Sequence, residues 1–482
     1  MWPPEQSPAR ASRWIQYNQS GAETAKSNAV NQSPPPRRTK GTTLDDLCSL
    51  PATRLAQLIR DRQASAAEVV AAHLRRIEAV NPRINAVVQL RAEAALAEAR
   101  AADAAIARGD AVGPLHGVPF TVKDWLETSD LICAAGFEGR RGYVPKRDAT
   151  AVARMRAAGA ILLGKTNVND GSPVYARPNN PHDLDRSPGA SSSGEAAIIA
   201  AGGSPLGIAS DSGGSIRWPA HCCGVAALKP TSGLVPNTGH FPRIGAMSDP
   251  RTAIGPMARS IADLALALPI IAGPDGRDAG VVPMPIGDMA AVAVEGLRVA
   301  YYTRMPDAAP SLETVAATEA AARVLEAAGA RVSEARPPRL EESLPITLAY
   351  WRRPSSVSWD RWVPSGEARL SGEEVERHLF EWERFRRYMA LFMEDYDVIV
   401  CPVAADAAPP HGPVPLENWL YTLPYSLTGQ PVAILRSGAS SEGLPIGVQV
   451  VARPWRDDIA LAAAAVIERA FGDWPAPAAA GS

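Results

Sequence analysis

The stretch Gly189–Pro230, GASSSGEAAIIAAGGSPLGIASDSGGSIRWPAHCCGVAALKP, constrains the fold of this chain more than any other. It is dense in glycine and serine and holds one acid–arginine pair, Asp211 and Arg217. A flexible linker of small residues would be polar throughout. Here the runs AAIIAA, PLGIA and CCGVAAL interrupt the glycines, so the segment belongs in a buried core.

A core able to absorb it needs the rest of the chain. The 482 residues are 46% hydrophobic and 21% charged, an ordinary globular composition. The net charge of −2 gives no electrostatic reason to expect nucleic acid as a partner. No apolar run reaches the roughly 18 residues of a membrane span, so no membrane partner is expected. The five cysteines are few and odd in number, and the adjacent Cys222 and Cys223 lack metal-type spacing. They read as free buried thiols in a reducing, cytoplasmic compartment. Residues 1–42 are polar, end in SPPPRRTKGTT, and read as a disordered or loosely packed N-terminal arm.

From about Thr43 the pattern alternates. SAAEVVAAHLRRIEAVNP predicts a helix started by a Ser65/Glu68 capping box and stopped at Asn81-Pro82. A second, alanine-rich helix is expected over about 90–108, a short strand over 118–123, and a helix, glycine turn and buried strand in DATAVARMRAAGAILLGKTN. Residues 296–302, 396–403 and 444–452 read as further strands, with helices at about 311–328 and in DDIALAAAAVIERAF. Strands alternating with helices predict an α/β protein with a mixed sheet covered on both faces. No linker interrupts residues 43–475, which read as a single domain. Within it, the region of about 345–425 is rich in aromatics, among them Tyr350, Trp351, Trp359, Trp362, Phe380, Trp382, Phe385, Phe392, Trp419 and Tyr421. These either pack the long amphipathic helix onto the body or line an apolar substrate entrance or a partner surface.

Several chemistries are excluded by what is missing. No G-x-S-x-G elbow, S-x-x-K motif, H-E-x-x-H motif, phosphate-binding loop or metal-spaced His/Cys cluster occurs. Serine and lysine remain. Lysines are scarce, and Lys123 ends the apolar run Val118, Phe120, Val122. Burial disfavours an ammonium, and a neutral amine is a usable base. Lys123 is therefore either a general base, or a cation that pairs with Asp124 or reaches to the surface. Ser215 follows Gly213-Gly214 and precedes an apolar segment that starts a helix. The backbone N–H groups from Ser212 through Ser215 form either an oxyanion cradle or a turn chosen for packing.

Taken in order, GPLHGVPFTVKDW, RDATAVARMRAAGAILLGKTN, NNPHDLDRSPGASSSGE, the Gly189–Pro230 stretch, GPMARSIADLALALPIIAGPD and LTGQPVAILRSGASSEGLPIGVQVVARPW closely resemble the motifs of the amidase signature family, in its general amidase branch. The resemblance runs from about residue 45 to 472. It implies an α/β/α sandwich with a large twisted mixed sheet, and a Ser–cis-Ser–Lys triad. Ser215 matches the family's nucleophile, Ser191 its bridging serine and Lys123 its lysine, with the Ala190–Ser191 peptide cis. The backbone of Ser212, Gly213, Gly214 and Ser215 matches the oxyanion hole. Ser192 matches a supporting serine, and Asp211 and Arg217 match residues that brace the loop. Ala190 and Ser193 depart from the family's usual glycines.

The implied activity is hydrolysis of carbon–nitrogen amide bonds, with esters and carbamates (urethanes) as further substrates, without metal or cofactor. The expected partner is thus a small-molecule amide, ester or carbamate, taken by a monomer or homodimer. The alternative within the family is the amidase subunit of a glutamyl-tRNA amidotransferase. NTGHFPRIGAMSDPRTAIGPMARS stands where that subunit carries a different continuation, and resembles general amidases.

Overall fold

The computed structural model describes residues 44–168, 172–244, 249–353, 370–472 and 474–477. The arm expected at 1–42 lies outside them, as do Trp359 and Trp362. The described residues fall in one compact unit, Thr39–Ser482.

Eleven strands form one sheet: β1 (Val87–Leu90), β2 (Pro119–Lys123), β3 (Ile161–Thr166), β4 (Leu206–Asp211), β5 (Ala226–Lys229), β6 (Ala253–Ala258), β7 (Arg298–Tyr301), β8 (Arg331–Glu334), β9 (Val398–Pro402), β10 (Val432–Ala439) and β11 (Pro445–Ala452). Their spatial order is β1-β3-β2-β4-β6-β5-β10-β11-β9-β7-β8. The sheet is mixed. β2 runs parallel to β3 and β4, and β7 parallel to β8 and β9, while β10 pairs antiparallel with β5 and β11. Every residue of β2, β3 and β4 is buried, as expected of strands covered by helices on both faces. The edge strands β1 and β8 are the ones that reach solvent. The expected α/β architecture with a large mixed sheet is what the chain adopts.

The capping box works as the sequence implies: the Ser65 hydroxyl accepts from the Glu68 N–H, and the Glu68 carboxylate accepts from the Ser65 N–H. The helix it starts does not stop at Asn81-Pro82. It runs from Ala66 to Ile84 with Pro82 inside, and ends on a left-handed Asn85 whose N–H returns to the Asn81 carbonyl. A proline removes one helical N–H, and burial of Val80 and Ile84 holds the last turn in place.

Two short helices frame the Gly189–Pro230 stretch, Ser193–Ala200 and Arg217–Cys223, and both are buried almost throughout. In register, Thr121 lies opposite Gly207, and Val122 opposite Ile208. The carboxyl ends of β2 and β4 therefore sit side by side, and Lys123 and Asp211 emerge at the same margin of the sheet. That margin is where open α/β sheets place their sites.

Candidate active site

Lys123 is the last residue of β2 and is fully buried. Its Nζ lies 2.6 Å from the Ser191 hydroxyl, 3.1 Å from the Ser210 hydroxyl and 3.2 Å from the Ser210 carbonyl. The Trp125 ring covers it at 4.2 Å. Burial drives its pKa well below the ordinary lysine value, and the charges of Asp211 and Glu195 only partly oppose this. The pairing of Lys123 with Asp124 that the sequence leaves open does not form. Asp124 faces Lys165, 3.8 Å away, and accepts from the Tyr175 hydroxyl and the Ala135 N–H.

Ser191 and Ser192 lie just ahead of the Ser193–Ala200 helix. The Ser192 hydroxyl donates to the Ser210 carbonyl at 3.3 Å, so both serines and Lys123 gather around Ser210. One expectation fails. The cis peptide among the described residues is Phe241–Pro242, and the Ala190–Ser191 bond is trans. The non-proline cis isomer costs roughly 2.5–4 kcal/mol, and the Ser191 hydroxyl meets Lys123 without it.

The second part of the site is organised by Asp211, the last residue of β4. Its carboxylate accepts from the N–H groups of Gly214, Ile216 and Arg217 and from both ends of the Arg217 guanidinium. Burial alone would raise its pKa, but the charge and hydrogen bonds of Arg217 bring it down to about 2. Arg217 in turn donates to the Thr422 carbonyl, Gln449 and Ser426. This clamp folds residues 211–217 into a tight turn.

Gly214 has a φ of +134°, a region side chains avoid, and a Cβ there would lie 2.6 Å from the Thr422 hydroxyl. The Gly214 N–H, one of the four expected at an oxyanion hole, points instead at Asp211. Ser215 is part-exposed at the open side of this turn. The Ser191 hydroxyl is engaged with Lys123 and not with Ser215.

Three participants escaped the sequence. Ser210 is the hub on which Lys123 and Ser192 converge. His240 is buried and its Nε2 lies 2.8 Å from the Ser210 hydroxyl, while its Nδ1 lies 2.8 Å from the Pro242 carbonyl. Glu195 is buried beneath them, accepting from the hydroxyls of Thr121 and Thr166. Burial pushes its carboxyl up to about 7, against the pull of the two threonines and of Lys165 and Lys123. Glu195 carries a signal in hindsight, as an acid inside an apolar helix. Ser210 and His240 carry none, because 30 residues separate them and only the fold joins them.

The aromatic-rich region divides between packing and the site. Trp382 and Phe385 are buried, and the Trp382 indole N–H donates to the Leu427 carbonyl at 2.7 Å. Trp351 is 56% exposed. A Cβ on Gly213 would lie 3.8 Å from Trp351 and 3.7 Å from Leu423, so these two side chains border the glycine turn. Among the described residues there is no group of three or more His, Cys, Asp or Glu placed to hold a metal, and no helix long and apolar enough to cross a membrane. All five cysteines are free and buried.

A buried amine on a serine hydroxyl is an arrangement that can move a proton. A family model described as Amidase matches residues 68–461. The chain is 33% identical to an acylamidase of Rhodococcus erythropolis, over 88% of this chain and 96% of that protein. It is equally 33% identical to a glutamyl-tRNA(Gln) amidotransferase subunit of Salinispora arenicola, over 90% of this chain and 100% of that one. The solved structure of a 6-aminohexanoate cyclic dimer hydrolase with its substrate superposes with a TM-score of 0.79 at 28% identity, covering 90% of this chain and 100% of that one. The chain belongs to the amidase signature family of amide hydrolases.

Proposed function

We propose that this amidase cleaves small-molecule carboxylic amides, and esters and carbamates by the same route, through an acyl-enzyme on Ser215. The contact that carries the reading is the 2.6 Å approach of the buried Lys123 Nζ to the Ser191 hydroxyl. Neutral Lys123 takes the proton of Ser191 as Ser191 takes that of Ser215. The Ser215 oxygen bonds to the substrate carbonyl carbon, and the carbonyl oxygen becomes an oxyanion held by the backbone N–H groups of Ser212, Gly213 and Ser215. The carbon–nitrogen bond then breaks, and the leaving nitrogen takes a proton from Ser191, which recovers one from the Lys123 ammonium. Water attacks the acyl-enzyme along the same relay, releasing the acid and restoring Ser215. The Ser191–Ser215 link is the contact that bound substrate tightens, since catalytic hydrogen bonds often close only in the substrate complex.

Trp351 and Leu423 beside Gly213 favour an apolar or aryl substrate, held by a chain acting as a monomer or homodimer. The second reading is a component of a glutamyl-tRNA amidotransferase, favoured by the full-length match to the Salinispora protein.

A phosphonate-type serine probe followed by peptide mapping tests the nucleophile: label on Ser215 is expected, and label on Ser191 or elsewhere refutes the assignment. Lys123→Ala lowers amide turnover by at least about a hundredfold, the scale of general-base catalysis, and activated-ester turnover at high pH much less. Equal mild losses on both would remove Lys123 as the base. Ammonia release from glutamine, seen only after partner proteins are added, would favour the second reading.

A further inference from the structure

We propose that His240 is a positioning residue: its ring, fixed in one tautomer by the Pro242 carbonyl, turns the Ser210 hydroxyl away from Lys123 and so reserves the lysine lone pair for Ser191. The inference rests on Lys123 acting as the base.

A carbonyl oxygen only accepts, so the His240 nitrogen 2.8 Å from the Pro242 carbonyl, Nδ1, carries the hydrogen. In a neutral imidazole the other nitrogen then has none. His240 is buried, and its pKa is lowered to about 4 by that burial, with the Pro242 contact opposing. It is therefore neutral at pH 7. Nε2 accepts, and the hydroxyl 2.8 Å from it, that of Ser210, donates its only hydrogen there.

Ser210 Oγ consequently presents lone pairs to Lys123 Nζ, 3.1 Å away, and the Ser210 carbonyl presents its own at 3.2 Å. A neutral lysine amine has two N–H bonds and one lone pair. Both N–H bonds are taken by Ser210, and the lone pair is left for the remaining close neighbour, the Ser191 hydroxyl at 2.6 Å. If Nε2 did not accept, the Ser210 hydroxyl would be free to swing round and donate to Lys123. It would then compete with Ser191 for the one lone pair that can act as a base. The Trp125 ring, edge-on to His240 at 5.7 Å, packs against the imidazole.

Two substitutions separate this from a packing role. His240→Asn keeps a donor near the Nδ1 position for Pro242 and removes the Nε2 acceptor. His240→Gln carries its amide oxygen to the Nε2 position and gives up the Pro242 contact. The expected result is a kcat on an aryl amide reduced about five- to tenfold in His240→Asn, the weight of one competing hydrogen bond. KM is unchanged, and His240→Gln retains most of the rate. Removing the competing hydroxyl as well cancels the loss, so Ser210→Ala/His240→Asn turns over as fast as Ser210→Ala alone. The proposal is overturned if His240→Gln is the more damaged variant, or if the losses of Ser210→Ala and His240→Asn multiply. Lys123→Ala, assayed alongside, keeps the two readings apart: wild-type amide turnover in that variant removes the base itself, whereas a dead Lys123→Ala with multiplying losses removes only the role of His240.

Discussion

Asp211→Asn is the change that most directly probes how the turn of residues 211–217 is held. The substitution keeps the outline of the side chain and removes its charge. Arg217 then stays fully buried among neutral partners, the Thr422 carbonyl at 2.7 Å, the Ser426 hydroxyl at 2.6 Å and the Gln449 amide oxygen at 3.2 Å. Breaking one side of a buried ion pair costs about 3–5 kcal/mol. Proton linkage gives a second route to the number. Arg217 and its neighbours hold the Asp211 carboxyl down at about 2 against the cost of burial, whereas an unfolded aspartate titrates near 3.9. A depressed folded pKa means stability that is present above about pH 4 and is lost as pH falls toward 2, here roughly 2–3 kcal/mol. The two routes overlap at about 3 kcal/mol, a large share of the ~5–15 kcal/mol that a domain has. Urea unfolding monitored by tryptophan fluorescence reads it as a fall in midpoint with the slope unchanged. Arg217→Met supplies the other corner of the cycle, and the double variant is expected to lose about 2 kcal/mol less than the sum of the singles. A midpoint within about 0.5 kcal/mol of wild type, or additive single costs, would refute the idea that this pair organises residues 211–217.

Glu195 behaves in the opposite sense with pH. Its folded carboxyl is raised to about 7, so its contribution is full below the unfolded value of about 4.3 and fades as pH rises through 7, by about 3–4 kcal/mol. Glu195→Gln, which cannot ionise, is therefore expected to gain on wild type between pH 5 and pH 8 in parallel denaturation curves; equal pH slopes would contradict it. Gly207→Ala drives a methyl into the Glu195 carboxylate and is expected to yield no soluble protein or a strongly lowered melting temperature. Trp351→Ala is expected to raise KM for an aryl amide at least about fivefold, the loss of one apolar aromatic contact, and to spare acetamide, as read in steady-state kinetics.

How far the sequence reached depends on whether a feature is local. The Ser65/Glu68 cap is four adjacent positions and is legible as such. The strands β4, β5 and β6 are not: LGIASD, AALK and AIGPMA are buried on both faces and show no alternation that would mark a strand. The overrun of the first long helix past Pro82 depends on burial of Ile84, which no local rule reports. In the site, the family motifs point to Lys123, Ser191, Ser215, Asp211 and Arg217 because each sits in a contiguous word. The relation of Ser210 to His240 depends on Phe241–Pro242 returning to the carboxyl end of β4, a consequence of tertiary structure alone. The trans bond before Ser191 is likewise a property of the fold and not of the word GASSSG.

The buried lysines show why one of them is suited to act as a base. Lys123, Lys165 and Lys229 each lie at or near the carboxyl end of a strand and are fully buried. Lys165 faces the Asp124 carboxylate and donates to the Leu126 carbonyl and the Thr128 hydroxyl, so its hydrogens are committed beside a counter-charge. Lys229 is lowered to about 7 by burial and by Arg217, opposed by Asp211 and Asp457, yet its Nζ contact is the Pro230 carbonyl, which can only accept. Becoming neutral there would leave its lone pair facing no hydroxyl donor among the described residues. Lys123 has burial without an ion-paired carboxylate, acceptors in Ser210 for its two N–H bonds, and a serine hydroxyl in the remaining direction. On the proposed mechanism, the same residue type at the same kind of position becomes a counter-ion, an inert amine or a proton acceptor according to which neighbours can donate to it. Lys229→Met is accordingly expected to leave kcat on an amide within about twofold while Lys123→Met abolishes it, a factor well above the ~1.4 kcal/mol that one tenfold step represents. Comparable losses in the two variants would show that burial alone, and not the donor opposite the lone pair, decides which lysine serves.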